Sequence, residues 1–161
     1  MTNNWLVSEI ETILAKKPQI VVEIGCGNGA FAKEIAPSVR EVHAVDWALS
    51  PNFVDRPENV HFFKADVTRD EIPSGDVTCS ADVLEHFNPL DLTKVVAKCV
   101  ASSPLQHHVI ACYDDGHSHL TVMPPAAWLA LFWRYCPTVR LSRVECRRNN
   151  PRQLVCVIST F

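Results

Sequence analysis

The 161-residue chain is 47% apolar, 20% charged and 8% aromatic, enough apolar material for one ordinary core and too much for a disordered or collagen-like polymer. A net charge of -3 excludes a bulk attraction to nucleic acid or to an anionic membrane, although the sign is uneven: residues 1–133 carry nine Lys/Arg against seventeen Asp/Glu, and residues 134–161 six Arg against one Glu. A single domain over residues 1–161 is expected, with a basic C-terminal edge that reads either as solvated surface arginines or as a contact for nucleic acid.

Trp5, Leu6, Ile10, Ile13 and Leu14 recur at helical spacing, and Lys16, Lys17 and Pro18 end the run, so a leading amphipathic helix is expected over 5–17. The β-branched stretch Ile20–Ile24 then flows into Gly25-Cys26-Gly27-Asn28-Gly29 and a short helical pattern closed by Pro37: strand, glycine turn, helix. Further strands are expected at Val42–Val45, ending at Asp46, at Val60–Phe63, ending near Asp66, and at Asp76–Ser80. Residues 66–75 are too few and too polar for a full helix between the third and fourth strands. A helix over 89–102 and a fifth strand at His108–Tyr113 follow.

Pro124-Pro125 opens the compact apolar helix AAWLALFWRY, where proline suits the first turn. Two strands, Val139–Glu145 and Gln153–Ser159, joined by a basic loop, close the chain as a hairpin. Strands separated by crossovers and finished by a hairpin predict an α/β fold: a doubly wound, mostly parallel seven-stranded sheet with an antiparallel C-terminal strand.

Seven cysteines at irregular spacing, several inside apolar runs (Cys79, Cys112, Cys156), read as reduced buried thiols, and without a CxxC pair no metal site of zinc-ribbon type is expected. The N-terminal stretch lacks the charged start and long apolar run of a secretory signal, and no run approaches the length of a membrane span. A soluble, reducing, cytoplasmic setting with no membrane partner is the expectation.

In a doubly wound sheet, ligands bind outside the carboxyl ends of the central strands. The candidate residues fall at that edge. Glycines after strand one let backbone approach a ligand closely, and Asp46, about twenty residues beyond them, is placed for a ribose diol. Glu23 sits inside strand one, two residues before Gly25. A carboxylate there suits a zwitterion with a cationic amino group better than a pyrophosphate, and the spacing is not Gly-x-Gly-x-x-Gly.

These segments resemble the motifs of the class I S-adenosylmethionine (SAM) dependent methyltransferases. VVEIGCGNGAF looks like motif I, VHAVDW like the motif II strand with its ribose-binding acid, KADV like the adenine-contacting segment, and DVTCSADVLEHF like the fourth motif with its LEH turn. The order is the family's, and the terminal hairpin matches its strands six and seven. The resemblance implies SAM as cofactor and S-adenosylhomocysteine as product. It assigns Glu23, Gly25, Cys26 and Gly27 to the methionine end, Asp46 to the ribose, Trp47, Asp66 and Val67 to the adenine, and Ala81 with Asp82 to the sulfonium or amino-acid part.

For the acceptor, methyl transfer asks the protein for positioning and, with a hydroxyl, a general base. Asp82 and His86 after strand four, and His117 and His119 after strand five, are the candidates, because imidazole titrates near neutral pH. His117-x-His119 lacks a clear third ligand, so no metal is expected. No Asn/Asp-Pro-Pro-Tyr/Phe and no Pro-Cys follow strand four, which argues against exocyclic-amine and cytosine-C5 chemistry.

The expected activity is methylation of an oxygen of a small molecule or saccharide. Two alternatives stand: a nucleic-acid methyltransferase using the Arg-rich hairpin, and a non-catalytic SAM-binding module. The short connections predict an open cleft, facing a large acceptor such as a glycan or completed by a second copy or another subunit. The apolar helix after Pro125 reads either as core or as that interface.

Overall fold

The computed structural model describes residues 4–161. Seven strands form one sheet in the order β3-β2-β1-β4-β5-β7-β6: β1 Ile20–Ile24, β2 Glu41–Asp46, β3 Val60–Lys64, β4 Val77–Ala81, β5 Leu105–Ala111, β6 Arg140–Cys146 and β7 Leu154–Ser159. The first five are mutually parallel, while β7 runs antiparallel between β5 and β6. The expected mixed sheet is therefore the observed one. Central strands read as continuous apolar runs because both faces are covered: β1 is buried from Val21 to Ile24, and β4 from Val77 to Ser80.

Helices α1 (Ile10–Leu14), α2 (Ala30–Ile35), α3 (Pro89–Ser102) and α4 (Pro125–Trp133) supply the layers. The leading helix is shorter than its periodicity suggests, since residues 7–9 form a separate 3-10 turn and Lys17 leaves the helical region at φ 53°. α3 is the longest. Asn88 caps it by accepting from the N–H groups of Leu90 and Asp91, Pro89 fits its first position, and Leu92, Val95, Val96 and Cys99 form its buried face. In α4, Trp128 and Phe132 are fully buried beside Ile110 and Ile158, so this helix contributes chiefly to the core.

Two core layers lie on opposite faces of the sheet, one around Ile13, Val21, Phe31 and Val42, the other around Val22, Ile24, Val96 and Trp128. No helix separates β3 from β4, as the short polar stretch foretold. Connection β2–β3 holds only the 3-10 turn Pro51–Phe53. Neither connection carries an α-helix. All seven cysteines are free; five are buried, Cys112 is half-buried and Cys146 is exposed.

Candidate functional site

Two cavities share Gly25 at the carboxyl ends of β1, β2 and β4. The larger, about 590 Å³, runs from Asp46 and Trp47 past Asp66, Val67 and Asp70 to Val83 and Phe87. The smaller, about 210 Å³, is walled by Glu23, Gly25–Asn28, Ala81 and Asp82, with Asn4 and Leu6 from the N-terminal segment.

Glycine chemistry sets this geometry. The N–H groups of Gly25 and Cys26 both donate to the Val45 carbonyl, at 2.8 and 3.1 Å, pinning the loop to the end of β2. Gly25 has φ 72°, and a Cβ on it would lie 2.3 Å from Val83 Cγ2, so both its conformation and its neighbour require glycine. Gly27 (φ 51°) has open space where a Cβ would stand, on the side of the smaller cavity, and its N–H donates to Asp46 Oδ2 at 2.8 Å. The other oxygen of Asp46 accepts from the Trp47 N–H.

Glu23 is 2% exposed, and its Oε2 has no hydrogen-bond partner among the described residues. Burial, helped by the negative charge of Asp46, pushes its carboxyl well above the ordinary range. An orphaned, buried carboxyl at the wall of a polar cavity calls for a cationic donor.

The opposite wall is made of side chains. Asp82 leaves β4 in the left-handed region (φ 55°), which aspartate tolerates, and its Oδ1 meets Arg147 Nη1 at 2.7 Å. Arg147, from the β6–β7 loop, is 5% exposed and lies 4.3 Å from the Trp5 ring centroid. Three residues after Asp82, Glu85 is fully buried; its Oε1 accepts from the Ala111 N–H and its Oε2 has no hydrogen-bond partner among the described residues. Burial, with the neighbouring charge of Asp82, pushes its carboxyl up to about 8.

The β5–α4 loop carries His119 onto this turn. Its scaffold is Asp115, whose carboxylate accepts from the backbone N–H groups of His117, Ser118 and His119 and from the Ser118 hydroxyl. Burial would raise that carboxyl, but these donors outweigh it and hold it below the ordinary carboxylate range. The Thr121 N–H donates to the Glu85 carbonyl and its hydroxyl to the Phe87 carbonyl, fastening loop to turn. The rings of His86 and His119 meet edge to face, 5.0 Å apart.

A methyltransferase-domain family model matches residues 21–102, just over half of the chain. The chain belongs to this family. It is a class I SAM-dependent methyltransferase, and SAM is its cofactor. The methyltransferase is 47% identical to chondramide synthase of Chondromyces crocatus over 45 residues, 28% of this chain and 1% of that protein, so the chain spans only a small fraction of that relative's length.

Among solved structures it resembles the methyltransferase domain of bacterial CtHen1-CN (TM-score 0.77, 15% identity, 99% of each chain covered). It also resembles magnesium protoporphyrin IX methyltransferase of Synechocystis PCC 6803 with bound S-adenosylhomocysteine (0.75, 12%, covering 96% of this chain and 80% of that one). A third likeness is to the 1,6-didemethyltoxoflavin N1-methyltransferase of Burkholderia thailandensis (0.71, 16%, covering 98% and 79%). At these identities the likeness is one of fold.

The methyltransferase gathers most residues singled out from its sequence. Glu23, Gly25, Cys26, Gly27, Ala81 and Asp82 line the smaller cavity, although the Cys26 side chain is buried in the core; Asp46, Trp47, Asp66 and Val67 line the larger. Trp47 stands at its edge, 76% exposed. Asp66 Oδ1 accepts from the N–H and hydroxyl of Thr68, a local turn, which leaves Oδ2 near Arg69 at 3.8 Å. His117 does not join the acceptor side: its side chain is 79% exposed and contacts Asp115.

The paired reading of His117 with His119 is therefore replaced by His119 with His86. Sequence reading missed Glu85 and Arg147, as well as Asp70, Val83 and Phe87 of the larger cavity. Glu85 stood in view as the middle of LEH, three residues after Asp82. Arg147 carried no local signal, because its partner lies 65 positions earlier.

Proposed function

We propose that the methyltransferase transfers the methyl group to an oxygen of a small molecule or saccharide. One observation carries this reading: two imidazoles face each other where the turn after β4, which begins at Asp82 of the smaller cavity, meets the β5–α4 loop, and their Nδ1 atoms are bonded to backbone carbonyls. His86 Nδ1 lies 3.0 Å from the Ser118 carbonyl and His119 Nδ1 2.5 Å from that of Tyr113. A carbonyl accepts only, so each Nδ1 bears the hydrogen and each Nε2 keeps its lone pair. Such a wall suits removal of a hydroxyl proton.

SAM supplies a sulfonium-bound methyl group; on transfer an oxygen–carbon bond forms, the sulfur–carbon bond breaks, and sulfur keeps the electron pair. Within the smaller cavity, Glu23 takes the cofactor's amino group and regains its charge, while Gly27 gives room for close approach. Asp46 exchanges its bond to Gly27 N–H for the ribose hydroxyls, and Trp47 and Val67 flank the adenine with Asp66 at its edge. The single hydroxyl proton passes to one base, an Nε2 of His86 or His119 or the Asp82 carboxylate.

The fold leaves the acceptor atom to the site. Two of the six C-terminal arginines form ion pairs within the molecule, Arg143 with Glu9 and Glu145 and Arg147 with Asp82, and Arg148 donates to Gln153, which weakens the nucleic-acid reading. Among the described residues no helix is long and apolar enough to cross a membrane. The test is methyl transfer from labelled SAM to matched panels of hydroxyl and amine acceptors, with the product identified. A methyl ether or ester supports the reading; an exclusively N-methylated product overturns it.

A further inference from the structure

We propose that Glu85, His86 and His119 bind one first-row divalent cation of the zinc, cobalt, iron(II) or manganese type. One donor atom from each residue falls within a sphere where all three lie within 4.8 Å of one another. The donors come from two separate stretches, the turn after β4 and the loop after β5, and are locked together by Thr121 and Asp115 as described.

Three independent features suit a cation rather than a chance encounter. Glu85 is 0% exposed, yet its Oε2 has no hydrogen-bond partner among the described residues, and a buried unpaired acceptor costs free energy unless a ligand completes it. Both imidazoles have their Nδ1 atoms held by backbone carbonyls, the arrangement that fixes ring and tautomer in metal-ligating histidines and leaves Nε2 for the ion. His119 Nε2 stands 4.0 Å from Glu85 Oε1 and 3.8 Å from Asp115 Oδ2, separations too long for direct bonds, and the Asp115 carboxylate is already taken by the loop's own donors, which leaves Glu85 to share an ion with the imidazole.

Two imidazoles with one carboxylate form the donor set favoured by these cations over calcium and magnesium. Three protein ligands leave open positions, as in catalytic rather than structural sites. Asp82, three residues before Glu85, lines the smaller cavity. The catalytic role of the ion rests on the oxygen reading above, whereas its binding does not. With the ion in place the two Nε2 lone pairs are committed to it. The bound hydroxyl is then acidified by the ion, and Asp82 is left to accept its proton as the oxygen–methyl bond forms.

The experiment is titration of the metal-free protein with Co²⁺, followed by the visible absorption of the bound ion, with Mn²⁺ and Mg²⁺ in parallel. One equivalent of Co²⁺ is expected, and His86→Ala, His119→Ala and Glu85→Gln are each expected to weaken it at least about tenfold. His117→Ala should leave it unchanged. SAM binding by each variant reports that the protein is folded, and His119→Gln serves if His119→Ala is not.

No Co²⁺ binding to a protein that still binds SAM overturns the site, as does binding that survives both His119→Ala and Glu85→Gln or is lost with His117→Ala. Cation binding by a protein that methylates only nitrogen would leave the site standing and remove the oxygen reading. Equal O-methylation by metal-free and Co²⁺-loaded protein would remove the ion's catalytic role alone.

Discussion

Around Gly25 and Gly27 the cleft is walled by backbone from two adjacent strands, whereas beyond Asp82 it is walled by side chains drawn from the β4 turn, the β5–α4 loop and the β6–β7 loop. The first wall rests on aliphatic residues such as Val22, Ile24 and Val45. The second rests on polar groups: the Asp115 turn, Thr121, and the buried side chains of Glu85 and Arg147. Cofactor geometry is thus produced locally, with Glu23 a buried acid within it. The acceptor geometry depends on long-range packing around polar groups, and should be the more sensitive to substitution and to pH.

The largest expected effect lies on the acceptor wall. His86→Ala and His119→Ala should each lower kcat by about 10² to 10⁴-fold, the usual contribution of positioned proton transfer, with the Kd for SAM changed less than about twofold. A parallel loss of SAM affinity would show that the two walls are not separable. On the cofactor wall, Asp46→Ala should weaken SAM by about 100-fold, since hydrogen bonds to a charged group contribute about 1.5–3 kcal/mol. Calorimetric titration reads this directly, and turnover at saturating SAM should be largely retained.

Next in size is the acid limb of stability. Burial, with His107 beside it, pushes His108 down to about 3, where it bridges Ser80 and Gln106. The unfolded chain takes up this proton near pH 6.5 and the native state does not, so stability is full above about 6.5. It should then fall by about 1.4 kcal/mol per pH unit as pH drops toward 3.

Glu9 adds to the loss only lower down. Burial would raise its carboxyl, but hydrogen bonds from His107 and Arg143 outweigh this and hold it at about 2, against an ordinary 4.5. Its contribution is present above about 4.5 and disappears as pH falls toward 2. Denaturant midpoints across pH 7 to 4 should show the first limb (about 1.4 kcal/mol per unit), and His108→Gln should flatten it; an unchanged slope would place the sensitive group elsewhere. The smallest effect is expected from Trp47→Ala, about tenfold on SAM affinity and none on turnover at saturation, because the ring is largely exposed.

The sequence showed one wall far better than the other. Glu23, Gly25, Gly27 and Asp46 were legible because each acts near its own place in a strand–turn–helix unit, and positive φ leaves a glycine in the text. Missing from view were the partners of the acceptor wall. His119 was paired with His117 on the strength of adjacency, yet the Asp115 turn leaves His117 at the surface and brings His119 beside His86. Asp66 was read as an adenine contact, and its nearer oxygen is spent on Thr68.

By itself, then, the order of apolar runs, glycines and acids determined the α/β sheet and the glycine turn at its carboxyl edge, because these follow from periodicity and from contacts a few residues apart. Only the tertiary structure decided that Glu85 is buried with an unpaired oxygen, that Arg147 closes on Asp82 under Trp5, and that His86 and His119 face one another. Burial and encounter are properties of packing between distant segments, and no local pattern encodes them.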